Sequence, residues 1–94
     1  MMTIGALHLD LHLPGGRSLK DKRSVLKSLK DQLRHRFNIA VAEVGDQDLW
    51  QRAGLGVAAV GSDRRYVNGQ LDEVVNWVRE SRLVELIDYA VELY

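Results

Sequence analysis

No cysteine occurs in the chain, which removes disulfides, thiolate zinc sites and cysteine nucleophiles together. No uninterrupted run of apolar side chains exceeds a few residues, so a membrane span is not expected. The N-terminus lacks a basic segment followed by an apolar stretch and a small-residue cleavage site, which leaves the cytoplasm as the expected compartment. Charge of one sign is missing too: 13 Lys and Arg balance 13 Asp and Glu, and bulk attraction to nucleic acid or membrane is not predicted. What remains is 94 residues, 46% hydrophobic and 28% charged, with a single proline. A chain of 10.6 kDa folds to a surface of about 5,500 Å² from about 15,000 Å² unfolded. That is enough for one small globular domain over residues 1–94, and leaves no room for a second.

The zero sum hides an uneven distribution. Between Arg17 and Arg36 lie eight basic residues and two acidic ones, whereas Asp72 to Tyr94 holds six acidic and two basic residues. A local excess of this kind can bind phosphate in a neutral protein.

Thr3 to Leu13 alternates, with Leu7, Leu9, Leu11 and Leu13 on one side and Ala6, His8, Asp10 and His12 on the other, the period of a strand. Pro14-Gly15-Gly16 ends it, and Ser18 is placed to cap a helix over Leu19 to Phe37. In that helix Leu19, Leu26, Leu29, Leu33 and Phe37 form one apolar stripe. Ile39 to Val44 and Ala53 to Ser62 read as strands joined by a hairpin, Asp46 to Arg52. Ser62-Asp63 caps a second helix carrying Val67, Leu71, Val74, Val75 and Val78, with Gly69 as its weak point. Val84 to Tyr94 alternates again, with Ile87, Tyr89, Val91 and Leu93 on one face. The order strand, helix, strand, strand, helix, strand with right-handed crossovers predicts a ferredoxin-like α+β plait. Its four-stranded antiparallel sheet carries both helices on one face.

Lys20, Arg23, Lys27, Lys30 and Arg34 are spaced three and four apart, a ridge about 21 Å long at 1.5 Å per residue. Its readings are contact with RNA phosphates, contact with an acidic partner, or a solvated face of snorkelling stems. Gly16, Arg17 and Ser18, at the start of the same helix, form either a plain turn or an anion site. Acylphosphatases of this fold class bind phosphate at that turn, but their extended glycine- and arginine-bearing motif is absent here. His8, Asp10 and His12 are not a metal set: i to i+4 along a strand spans nearly 14 Å, roughly twice what one ion bridges.

In the hairpin, Trp50 either anchors an interface, with Gln51 and Arg52 at the rim and Asp48 beside them, or folds back on the core. Asp46 and Asp48 lack the burial that acid–base work needs. The outward sheet face should show Ala6, His8, Ala40, Ala42, Gly54, Gly56 and Ala58. It has no aromatic on which to stack a base, and as a flat apolar surface suits pairing with a second copy by sheet face or edge.

Ser18-Leu19-Lys20-Asp21-Lys22-Arg23-Ser24-Val25-Leu26-Lys27-Ser28-Leu29 closely resembles the opening helix of the small bacterial YlxP-like proteins. So do Phe37-Asn38, Val41-Ala42-Glu43-Val44, Asp48-Leu49-Trp50-Gln51-Arg52-Ala53 and Leu55-Gly56-Val57-Ala58, and the likeness covers essentially the whole chain. Gly45-Asp46-Gln47 departs from it, standing where that family often carries an Asp-His pair. The resemblance implies a ferredoxin-like fold and no established activity. Genes of the family often neighbour those for transcription-termination, translation-initiation and ribosome-binding factors, which implies work near RNA or ribosome assembly.

The expectation is therefore a cytoplasmic, non-enzymatic, homodimeric binding module without cofactor or metal. Structured RNA or a ribosomal subunit would meet the ridge. The alternative is a protein-interaction or regulatory dimer acting through residues 46–52.

Overall fold

In the computed structural model, which describes Met1–Tyr94, the alternating leucines form strand β1 (Thr3–His12) and its continuation at Leu13. Helix α1 (Leu19–Arg36) starts at Ser18, whose Oγ accepts the Asp21 N–H at 3.1 Å. Strands β2 (Ala40–Gly45) and β3 (Arg52–Gly61) flank the hairpin loop. Helix α2 (Arg64–Glu80) is capped by Asp63, which accepts the Arg65 N–H, and leads to β4 (Glu85–Leu93).

The sheet order is β2-β3-β1-β4, antiparallel throughout, which is the ferredoxin-like plait. Leu7, Leu9, Leu11, Leu55 and Val57 face Leu26, Leu29 and Leu33 of α1 and Val67, Leu71, Val74 and Val78 of α2, all buried in one cluster. Helix α2 packs across β1, β3 and β4, and α1 lies over β2.

Strand β4 corrects the sequence reading. The register runs Leu11↔Leu86 and then Asp10↔Asp88, so Ile87 is the extra residue of a β-bulge. A bulge resets the two-residue period. Leu86 joins the helix-side face with Val91 and Leu93, while Ile87 is left 51% exposed. A second bulge, between Glu43 and Gly45, puts Val44 outside the ladder. The other differences are small: Phe37 is the C-cap of α1, Ile39 precedes β2, and Arg52 is the first residue of β3.

A Cβ added at Gly69, inside α2, would meet nothing within 4 Å. Gly69→Ala therefore removes the backbone entropy of glycine without a clash, and should raise stability by about 0.5–1 kcal/mol in urea denaturation.

Candidate functional site

The ridge of α1 is a mixed population. Lys20 and Arg23 are exposed and Lys30 half-buried, and none of the three makes an ion pair. Lys27 Nζ lies 3.0 Å from Asp31 Oδ2, and Arg34 Nη1 lies 3.6 Å from Asp31 Oδ1. The hydrogen bond from Lys27, then its charge, holds the Asp31 carboxyl below its usual range. Arg34 Nη2 also donates to the Val41 carbonyl at 2.8 Å. That bond ties the ridge to the flank of α1 beside edge strand β2, opposite the flank whose Arg36 and Phe37 border a groove with α2.

The strongest electrostatic feature is one the sequence reading counted only as charge. Lys22 lies on the apolar stripe of α1 with its side chain 2% exposed; Nζ is 3.0 Å from Glu43 Oε2 and donates to the Asp46 carbonyl. Glu43 sits on β2 opposite Leu55, on the helix side of the sheet, with 21% of its side chain exposed. Asp46 adopts φ 59°, in the left-handed region, and its carbonyl also accepts the Leu49 N–H at 3.0 Å. A buried cation thus pins the root of the hairpin to α1. The spacing was the available signal: Lys22 falls three residues after Leu19 and four before Leu26, and Glu43 shares the parity of Val41.

Beyond that root, Leu49 and Trp50 are 49% and 52% exposed, and neither belongs to the core. Their neighbours are engaged within the chain. Gln51 Nε2 donates to the Gly16 carbonyl at 3.1 Å, and Arg52 Nη2 donates to both carboxylate oxygens of Asp10, at 3.0 and 2.8 Å. This contact keeps the Arg52 guanidinium above its ordinary pKa. The rim donors expected beside Trp50 are therefore already used, and Asp48 alone of that set is exposed without an ion-pair partner.

The same joint engages part of the turn at Gly16, Arg17 and Ser18, read from the sequence as either a plain turn or an anion site. The Gly16 N–H donates to Leu13 O at 3.1 Å, and a Cβ on Gly16 would stand 2.5 Å from the Trp50 carbonyl. Ser18 Oγ is occupied as the helix cap. The Arg17 side chain is exposed and makes no ion pair.

The outer sheet face holds the expected small residues. Ala6, His8, Ala40, Ala42, Gly56 and Ala58 line a shallow apolar hollow of about 410 Å³, bordered by Val44, Ala90 and Glu92. At the far end of the face His12 Nδ1 lies 3.4 Å from Glu85 Oε1.

Residues 4–91, which include α1, the hairpin and the outer sheet face, match the model of a family described as protein of unknown function, DUF503. The chain belongs to this family. Over 61 residues it is 41% identical to "Uncharacterized protein YlxP" of Bacillus subtilis (strain 168), an alignment covering 65% of this chain and 66% of the relative, just under two-thirds. The DUF503 match thus takes in the ridge, the Lys22–Glu43 pair and Trp50 alike. Neither description names an activity, so a function for this DUF503 chain has to be argued from its surfaces.

Proposed function

We propose that this protein is a non-enzymatic cytoplasmic module that binds structured RNA, free or in a ribosomal particle, through the α1 ridge. The observation that carries this reading is the unpaired positive charge on one flank of a helix in a chain of zero net charge: Lys20, Arg23 and Lys30 have no acidic partner. Lys27 and Arg34 extend the line, sharing the single carboxylate of Asp31. A face that serves solubility alone interleaves both signs. Here the cations stand in a row of phosphate-binding length, on a helix fixed to the sheet through Arg34.

The test is fluorescence anisotropy with ribosomal RNA across a salt series, using nuclease-treated protein. Three to five phosphate contacts give a log–log slope between about −2 and −4.5. Absence of binding at low salt overturns the reading.

A second reading has its own observation, the half-exposed pair Leu49 and Trp50 on a hairpin held rigid by Lys22 and Gln51. An exposed tryptophan on a fixed support is the kind of residue that anchors a protein interface. Under this reading Trp50→Ala loses at least tenfold in affinity for a partner recovered by pull-down, while Lys20→Glu does not. The opposite pattern assigns that partner to the ridge.

A further inference from the structure

We infer that the outer face of the sheet is the interface between two copies of this chain, related by a two-fold axis that runs along the strands between β1 and β3. The inference rests on the sheet alone and is independent of what the ridge binds.

The register supplies the argument. Across the face the residues align in rows: Ala40, Ala58, Ala6 and Glu92, then Ala42, Gly56, His8 and Ala90, then Gly45, Gly54, Asp10 and Asp88. The β2–β3 half of these rows is built only of alanine and glycine. The β1–β4 half of the same rows carries Glu92, His8, Asp10 and Asp88, while on the other half Val44 lies beside Gly56 and Arg52 and Val60 stand at the ends of β3. Turning a second copy about the central axis lays the high half of one on the low half of the other: Glu92 faces Ala40, Asp88 faces Gly45, and Ala6 meets Ala58. Ile4 and Val60, both exposed and paired across the same two strands, exchange partners in the same way. An isologous interface needs this self-complementarity, in which a patch holds both the knob and the hollow.

Three of the four carboxylates on the face have a side-chain partner within each copy, of which only that of Asp10 is a fixed cation; Asp88 has none. Arg52 takes Asp10 in a bidentate pair, Tyr94 Oη donates to Glu92 Oε2 at 2.6 Å, and His12 lies against Glu85. A phosphate would find few free donors here, and no aromatic stands on the central strands to stack a base.

Area points the same way. Four strands at ~4.8 Å spacing and about eight residues of length give a footprint near 500 Å² per copy. The accessible area of a pleated face exceeds its footprint, so two copies approach the ~1,200 Å² total at which stable interfaces begin.

Edge pairing is the poorer route. Arg34 already covers the Val41 carbonyl on β2, and β4 against its own copy would juxtapose Glu85, Asp88 and Glu92.

Sedimentation velocity decides the matter. At about 100 µM, a hundredfold above a micromolar dissociation constant, the protein should sediment at twice 10.6 kDa. Ala58→Glu, beside the axis, and Ala42→Glu, on the low half, should each sediment as monomers with unchanged circular dichroism. Ser28→Glu on the outside of α1 should remain a dimer. A monomeric parent protein overturns the inference, and so does either face variant that keeps its circular dichroism and remains dimeric. If Ala58→Glu fails to fold, the oligomeric state of Ala42→Glu alone distinguishes the two outcomes.

Discussion

Lys22→Ala should lower the melting temperature by roughly 12–24 °C, the equivalent of about 3 kcal/mol for a domain of this size. Few substitutions on a helix cost so much, and the reason is what the lysine leaves behind. Glu43 Oε2 loses the cation 3.0 Å away, and the Asp46 carbonyl keeps only the Leu49 N–H. Removing one partner of a buried ion pair costs about 3–5 kcal/mol, because the other charge stays desolvated and uncompensated. Water reaches the fifth of the Glu43 side chain that is exposed, which sets the expectation at the lower end of that range. Since native domains are stable by about 5–15 kcal/mol, the loss is a large share of the total. Lys22→Met with Glu43→Gln should recover most of it, since an apolar stem and a neutral amide replace both charges together. The pair of measurements separates two meanings of the buried lysine. Recovery shows that the pair costs the fold mainly when broken; no recovery shows that the bond to the Asp46 carbonyl dominates, and that the hairpin root itself is what Lys22 holds. A loss below about 1 kcal/mol in the single variant would mean that the pair behaves as a surface pair.

The period of the apolar residues carried most of the architecture. Leu7 to Leu13 could face only one side of a strand, and the stripes of α1 and α2 left one way to bury both. What the pattern missed were places where a local rule is broken and the rest of the structure compensates. The bulge at Ile87 is invisible in an alternating stretch, because inserting one residue turns Leu86 inward without altering its neighbours' character. Lys22 was hidden for a different reason. It entered the reading only as one of the eight basic residues between Arg17 and Arg36, while its helical position, between Leu19 and Leu26, belongs to the core. Position proved decisive, because Glu43 waited at the matching depth on β2. For the candidate surfaces the sequence identified which residues share a face, but not which were already spoken for. That Arg52 is spent on Asp10, Gln51 on Gly16 and Arg34 on Val41 depends on contacts between residues 7 to 42 positions apart.

Those internal contacts decide which cations can test the RNA reading cleanly. Arg34 cannot, since its loss uncovers the Val41 carbonyl as well as removing a charge. Lys20 and Arg23 have no ion-pair partner in the fold and are exposed, so replacing them should move stability by no more than about 0.5 kcal/mol. Lys20→Glu with Arg23→Glu should then weaken binding to ribosomal RNA at least tenfold. It should also make the log–log salt slope shallower by about 1.4–1.8, the share of two phosphate contacts. The slope is the sharper readout. A loss of affinity with the slope intact would come from a changed conformation or a lost specific contact. A shallower slope counts the counterions that two cations no longer release. If affinity and slope both stay at the parent values, the α1 ridge is a solvated face, and Trp50 becomes the residue around which a partner has to be sought.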